Sequence, residues 1–187
     1  MQNLSDQIAD EILVMDAQSG SYGAFDVLVA RWQKRLWWHA YHLTGSPEAA
    51  WDVTQEGWLN VVRGLGRLKD PARFGTWVYR IVSHKAYDWL RRNGRESEMA
   101  SAELPEVVIE QPLQEIRSDV HGVLCRLPFR SQVVLNLYYL EGFGLAEIAR
   151  ILGTPAGTIK SRLHAARAKF RKIWKAVGEV PLKGKTT

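Results

Sequence analysis

The sequence has little of several features that would assign it to a common class of protein. Cys125 is the single cysteine among 187 residues, which excludes an internal disulfide. No apolar run is long enough to cross a membrane, and the N-terminus has neither the basic start nor the apolar stretch of a secretion signal. We therefore expect a cytoplasmic protein without membrane insertion.

Groups of residues in the arrangements that catalysis or metal binding requires are also scarce. We find no carboxylate cluster suited to a catalytic metal, and no nucleophile with a base to activate it. His39 and His42 could share one helix face, as could His121 and Cys125, but neither pair has a convincing third and fourth ligand. The sequence predicts that the protein is not an enzyme and that it has no metal site and no cofactor.

Strand patterns are lacking as well, because every apolar repeat has helical spacing. A short first helix carries Ile8, Ile12 and Met15 on one side, and we expect it to pack on the helices after it. Further helices are predicted over Gly23–Thr44, Ala49–Leu65, Phe74–Arg92, Leu113–Arg126 and Ser131–Glu141. The cap and proline at Ser46-Pro47 are expected to start the second of these. We expect the run Ala49–Leu65 to bury Val53, Leu59 and Val62. The predicted fold class is all-α.

Lysine is absent from residues 93–122, which carry seven acidic residues against only Arg95 and Arg117 and have few large apolar residues. That composition is typical of a linker. The chain is thereby divided into two small helical domains, residues 1–94 and 113–175, joined by a flexible acidic linker over 95–112 and followed by a tail over 176–187.

The segment Leu145–Arg171 has the pattern of a helix-turn-helix. Apolar residues recur at helical spacing up to Leu152, Gly153 suits a helix end, and Thr154 and Pro155 suit the start of a second helix. The outward face of that second helix is basic and has no acidic residue, and the net charge of +5 also favours a polyanionic partner. A basic helix pair also occurs in proteins that do not bind DNA, so this pattern alone leaves both interpretations open.

Three stretches together make the sequence more specific. They are LTGSPEAAWDVTQEGWLNVVRGL, RFGTWVYRIVSHKAYDWLRR and LPFRSQVVLNLYYLEGFGLAEIARILGTPAGTIKSRLHAAR. In order and spacing they resemble regions two and four of bacterial RNA polymerase sigma factors of the sigma-70 family, in its extracytoplasmic-function (ECF) group. The resemblance implies a factor that binds core RNA polymerase and directs promoter-specific initiation through the –10 and –35 elements.

The resemblance also implies roles for particular residues. The D-x-x-Q-E stretch and the leucine after it would bind core polymerase: Asp52, Gln55, Glu56 and Leu59. The third long helix and the loop before it would recognise and melt the –10 element, through Leu68, Phe74, Arg80, His84, Lys85, Asp88, Arg91 and Arg92. The second helix of the helix-turn-helix would bind the –35 element, through Thr158, Lys160, Ser161, Arg162, His164 and Arg167.

The partners implied are the beta and beta-prime subunits of core polymerase and promoter DNA, with an anti-sigma factor as a further candidate. Two positions depart from the family pattern. His84 stands where Asn is usual, near the pocket for a flipped –10 base, so its hydrogen bonding there is expected to differ. Ala165 stands where a DNA-facing Arg is common, so the –35 sequence is expected to differ from the usual one. The alternative function is a helix-turn-helix transcriptional regulator with an N-terminal sensing domain, for which Asp52, Gln55 and Glu56 would be an ordinary solvated helix face.

Overall fold

The computed structural model describes residues 4–93 and 116–178. Its helices are α1 (Leu4–Gln18), α2 (Tyr22–Thr44), α3 (Pro47–Gly64), α4 (Phe74–Arg92), α5 (Ile116–Cys125), α6 (Phe129–Leu135), α7 (Leu145–Leu152) and α8 (Ala156–Gly178). Two 3₁₀ turns, Leu65–Arg67 and Pro71–Arg73, precede α4, and a π-helical turn, Asn136–Leu140, follows α6. The described residues contain no strand, which agrees with the all-α prediction. The predicted linker lies outside the described residues, and α8 includes the first three residues of the predicted tail.

Helices α1 to α4 form a front unit whose apolar core surrounds Trp32. This side chain is 2% exposed and meets the rings of Phe74 and Tyr79 edge-on, with centroids 5.4 and 6.2 Å away. Gly75 makes that packing possible, because a Cβ there would lie 2.9 Å from the Trp32 ring. The front unit also holds most of the tryptophans. Trp32, Trp37, Trp38, Trp51, Trp58, Trp77 and Trp89 lie on α2, α3 and α4, whereas Trp174 lies near the end of α8.

The sharp connection between α2 and α3 depends on three consecutive residues. Gly45 ends α2 with a φ of 71°, a left-handed conformation that glycine adopts without strain. Ser46 then caps α3, since its Oγ accepts a hydrogen bond from the Ala49 N–H at 3.3 Å, and Pro47 occupies the first turn of the helix. This start of α3, and the full extent of α4, are as the sequence predicted.

Helix α1 packs on α2 and α4, but not through the face that carries Ile8, Ile12 and Met15. Val14 is buried, and Arg31 of α2 is paired with Asp10 at 2.7 Å. Near the end of α1, the Gln18 amide donates hydrogen bonds to the carbonyl oxygens of Leu65 and Leu68, both at 2.8 Å. Apolar residues expected to be buried are instead about half exposed: Ile8, Ile12, Met15, Leu59 and Val62. An apolar helical stripe therefore did not identify the buried face of α1, and Leu59 and Val62 lie outside the core.

Helices α5 to α8 form a rear unit with its own apolar centre. Ile148 and Ile151 of α7 are buried against Ile159 and Leu163 of α8, and α6 closes the other side. Gly153 separates α7 from α8 with a φ of 60°. The predicted helix-turn-helix is therefore present, with α8 as its second helix.

The two units are packed against each other. Helix α4 contacts α7, and α2 contacts α5. At the centre of this contact, Tyr79 of α4 packs edge-on against Phe143 at 5.0 Å and donates a hydrogen bond to the Glu141 carboxylate. Burial raises the pKa of Glu141, while the neighbouring Tyr79 hydroxyl and Arg35 favour its charged form. The surface between the units is therefore partly polar.

Histidines lie along the same contact. The Nδ1 atoms of His42 on α2 and His121 on α5 are 3.2 Å apart, and Tyr41 stacks on His121 at 4.6 Å. His39 is fully buried one turn before His42, with its Nε2 atom 2.9 Å from the Ser83 hydroxyl oxygen. Burial lowers the pKa of His42 to about 4 and that of His39 to about 3, so both rings are neutral at pH 7 in the folded protein.

Two negative findings concern the described residues alone. No helix among them combines the length and apolar character needed to cross a membrane. They also contain no group of three or more His, Cys, Asp or Glu side chains that could hold a metal ion.

The buried histidines predict acid sensitivity. A histidine whose folded-state pKa is lowered binds fewer protons when folded than when unfolded, so its contribution is constant above a pH of about 6.5 and stability falls below it. Glu141 has the opposite effect on stability. Because its pKa is raised in the folded state, its contribution to the free energy of unfolding increases as the pH falls. For His39 alone, the loss between pH 7.5 and 5.0 is on the order of 2 kcal/mol.

We expect His39→Asn to be less stable than the wild type at pH 7.5 but to lose less of its free energy of unfolding when the pH is lowered to 5.0. Urea unfolding at the two pH values measures this difference. His164→Asn, at an exposed position on α8, is the matched control and should show the wild-type pH dependence. Equal pH dependence for His39→Asn and the wild type would contradict the assignment.

Candidate functional sites

An open cleft of about 410 Å³ lies between α3 and the end of α4. Its α3 side consists of the four residues predicted to bind polymerase: Asp52, Gln55, Glu56 and Leu59. They are spaced at i, i+3, i+4 and i+7, which places them on one helix face. The α4 side adds Trp89, Arg92 and Asn93, which the sequence did not associate with this site. The cleft combines carboxylates with apolar surface, an arrangement suited to a helix that has both basic and apolar residues.

Glu56 is tied to α4 by two ion pairs. Its carboxylate lies 3.1 Å from the Lys85 Nζ and 3.4 Å from an Arg92 Nη atom. The hydrogen bond from Lys85 is the main reason that the pKa of Glu56 lies below its ordinary value. All three groups are partly exposed, so each pair contributes little to stability. Lys85 and Arg92, predicted to contact –10 DNA, are therefore directed towards α3, and Arg92 also lines the cleft.

The remaining charged residues of α4 lie on a second face. Arg80, His84, Asp88 and Arg91 follow one another at four, four and three residues, which keeps them near one line along the helix. Arg91 is paired with Asp88 at 3.5 Å, and burial lowers the pKa of His84, helped by the charge of Arg80. The spacing of the charged residues of α4 would allow a single ridge along the helix, but none is formed, because Lys85 and Arg92 are turned about a quarter to a third of a circle away from this line.

The loop before α4 also differs from expectation. Phe74, predicted to touch –10 DNA, is 1% exposed and packs against Trp32 and Trp77, so its side chain belongs to the core. Leu68 is half-buried, and its carbonyl oxygen accepts the hydrogen bond from Gln18. Phe74 is the first residue of α4, and an aromatic side chain at this position fills the core beside Trp32.

The outward face of α8 carries most of the residues predicted for –35 DNA. Lys160, Ser161, His164 and Arg167 are exposed, and Thr158 is half-buried in the first turn. Arg162 is directed back to the interhelical turn, where its Nη1 donates to the Thr154 hydroxyl at 3.4 Å. Arg162 therefore does not belong to the exposed face that carries Lys160, Ser161, His164 and Arg167.

The start of α8 differs from the prediction as well. Thr154 was expected to cap the helix, but its hydroxyl donates to the Leu152 carbonyl at 3.1 Å and the helix begins at Ala156. The carbonyl oxygen of Pro155 accepts the hydrogen bond of the first turn from the Ile159 N–H at 3.1 Å. Thr154 consequently belongs to the turn and stays available to Arg162.

Sequence reasoning missed one residue beside this surface. The Tyr139 hydroxyl accepts a hydrogen bond from the Arg167 Nε at 2.8 Å, and Tyr139 is 58% exposed. The signal for it in the sequence is the pair of adjacent tyrosines, Tyr138 and Tyr139, just before the helix-turn-helix.

The front and rear candidate surfaces are neighbours in this arrangement. A Cβ atom added at Gly153, in the turn between α7 and α8, would lie 3.8 Å from an Arg80 Nη atom. A front unit with a charged cleft thus adjoins a rear unit with a basic outer helix. Together these features define a two-unit, all-helical protein of the helix-turn-helix class.

Comparisons with known proteins agree with that class and specify it. The family model described as Sigma-70 region 2 matches residues 28–96, and the one described as Sigma-70, region 4 matches residues 117–170. The RNA polymerase sigma-H factor of Pseudomonas aeruginosa is 30% identical over 181 residues, covering 89% of this chain and 94% of that protein. The ECF RNA polymerase sigma-E factor of Escherichia coli is 30% identical over 179 residues, covering 88% and 93%.

A solved structure, of CnrH in complex with the cytosolic domain of CnrY, is similar with a TM-score of 0.69 and 28% identity, covering 90% of this chain and 98% of that one. The chain belongs to the ECF group of the sigma-70 family, the RNA polymerase sigma factors that direct promoter-specific initiation of transcription. The match to region 2 over the front unit disfavours the alternative of a regulator with an N-terminal sensing domain.

Proposed function

We propose that this sigma factor divides its work among three surfaces. The cleft between α3 and α4 docks on core polymerase, the line from Arg80 to Arg91 on α4 recognises and melts the –10 element, and the outer face of α8 binds the –35 element. The observation that carries this proposal is that the four residues predicted for polymerase binding line one cleft. The exposed cations of α8, opposed by no acid on that helix, support the –35 assignment.

The domain boundaries belong to the same proposal. Residues 1–94 and 113–175 are the two functional domains, and the family matches at 28–96 and 117–170 support these limits. The protein acts in the cytoplasm with core polymerase and promoter DNA, by binding alone and without an enzymatic step. An anti-sigma factor is a further proposed partner, and CnrH, a similar protein, was solved with the cytosolic domain of CnrY.

Promoter geometry demands that the two units separate. The –10 and –35 elements are about 25 base pairs apart, or about 85 Å at the rise of B-DNA. A compact chain of this size has a radius of gyration of about 16 Å, so units packed together cannot reach both elements. The 22 residues between Asn93 and Ile116 could extend by at most about 75 Å, which together with the size of the units is enough to span the gap.

The cleft can be tested by changing Asp52, Gln55 and Glu56 together to Ala. We expect weaker binding to core polymerase, because the acidic side of the cleft is removed, and an unchanged helical circular-dichroism signal. The matched control changes two exposed acids that do not line the cleft, Asp16→Ala with Asp26→Ala. A titration against core enzyme that shows unchanged affinity for the triple variant would refute this docking site.

The α4 surface can be tested on duplex and pre-melted promoters, selected from random DNA by wild-type holoenzyme. We expect His84→Ala to change which –10 base is preferred, because an imidazole can make specific hydrogen bonds in a base pocket. Arg91→Ala should lower opening of every promoter, because it removes a cation beside the DNA backbone. Permanganate reactivity measures opening. If both variants open all promoters at wild-type rates, this face of α4 is not the melting surface.

The –35 surface can be tested at Lys160. If its ammonium group meets phosphate, Lys160→Ala should weaken binding to all sequences alike and reduce the salt slope by about one. If it meets a base edge, discrimination at one position should fall by roughly 1–3 kcal/mol. Lys172→Ala, three turns further along α8, is the matched control. Footprints that keep full –35 protection in a Lys160→Ala/Arg167→Ala variant would exclude both versions.

A further inference from the structure

Arg167 on α8 is held by two aromatic rings from the preceding π-helical turn. Its Nε donates a hydrogen bond to the Tyr139 hydroxyl at 2.8 Å. Its guanidinium carbon lies 5.4 Å from the centre of the Tyr138 ring and 5.5 Å from that of Tyr139, within the range of a cation–π interaction. The two rings meet edge-on at 4.9 Å, so they form a small platform beneath the guanidinium group.

The backbone of the π-helical turn explains why successive residues can both reach Arg167. Asn136 and Leu137 are buried against the core, and the Glu141 N–H closes the turn on the Asn136 carbonyl at 3.1 Å. Tyr138 is half-buried and Tyr139 is exposed, and the rings of both contact Arg167 of α8. Helical turns of this wide type are uncommon and occur frequently at functional sites.

The charge of Arg167 remains uncompensated. Among the described residues, no carboxylate pairs with Arg167, in contrast to Lys85 and Arg92, which share Glu56. Both partners of the guanidinium group are neutral, and the one hydrogen bond occupies Nε. The four N–H groups on the two Nη atoms have no partner within the described part of the chain, and they are the donors that recognise phosphate in pairs.

We propose that Tyr139 is a positioning residue for promoter recognition: it fixes the Nε side of Arg167, so that the Nη groups are directed at a –35 phosphate before DNA arrives. This rests on the proposed function of α8. An unrestrained arginine side chain loses rotamer entropy when it binds, and a restrained one loses less. Tyr139 therefore contributes to DNA affinity without touching DNA.

Tyr139→Phe tests this directly, because it keeps the ring under the guanidinium group and removes the hydroxyl alone. The protein is used as holoenzyme with core polymerase, and the probe is a promoter duplex selected from random DNA by the wild type. We expect Tyr139→Phe to raise Kd about 2- to 10-fold, the cost of ordering one more rotamer-rich side chain on binding. Its salt slope should stay at the wild-type value, since no charge is lost, whereas Arg167→Ala should reduce the slope by about one.

The double variant separates positioning from independent contact. If Tyr139 acts through Arg167, then Tyr139→Phe in the Arg167→Ala background should have no further effect on Kd. Tyr22→Phe, at an exposed tyrosine on α2, is the matched control, and the thermal midpoints of all variants should stay within about a few degrees of the wild type. Additive losses, or an unchanged or lower Kd for Tyr139→Phe while Arg167→Ala weakens binding, would overturn the positioning role alone. Wild-type affinity and salt slope in Arg167→Ala would instead refute Arg167 as a DNA contact, and the inference with it.

Discussion

The hydrogen bond from the buried Tyr79 phenol to Glu141 is the interaction on which the arrangement of the molecule depends. The side chain of Tyr79 is inaccessible to solvent and packs against Trp32 and His39 in the front unit and against Phe143 in the rear unit. A phenol in such surroundings needs a hydrogen-bond partner, and the partner comes from the residue that ends the π-helical turn. While the two units are packed together, the position of that turn, and hence of Tyr139, is coupled to one side chain of α4.

Helix α4 consequently serves three purposes with three faces. Val78 and Val82 complete the front core, Tyr79 joins the rear unit, and the charged residues are shared between the cleft and the solvent. The division of charge is set by helical geometry, since residues seven apart lie close to one line and residues five apart do not. The two charged faces of this helix, about a quarter to a third of a circle apart, are the ones proposed for polymerase docking and for DNA contact.

Much of the fold was predictable because it depends on local rules. The extent of α4, the Ser46-Pro47 start of α3 and the break at Gly153 each depend on a few neighbouring residues. Burial was less predictable, because it depends on partners distant in sequence. Leu59 resembles a core residue yet faces a cleft, and Phe74 resembles a base-stacking residue yet fills the core beside Trp32. The pairing of Lys85 and Arg92 with Glu56 required knowledge of how α3 and α4 cross. The adjacent tyrosines are visible in the sequence, but the contact of Tyr139 with Arg167 depends on the π-helical turn, which the sequence did not predict.

The uneven placement of the tryptophans determines what can be observed in solution. Seven lie in the front unit, and Trp174, which is 39% exposed and stacks on Phe170, lies near the end of α8. Intrinsic fluorescence is therefore dominated by α2, α3 and α4 and is nearly silent about α5, α6 and α7. An emission-based unfolding curve describes the front unit, whereas a helical ellipticity curve averages both units. The difference between the denaturant midpoints of the two curves measures how independently the rear unit unfolds.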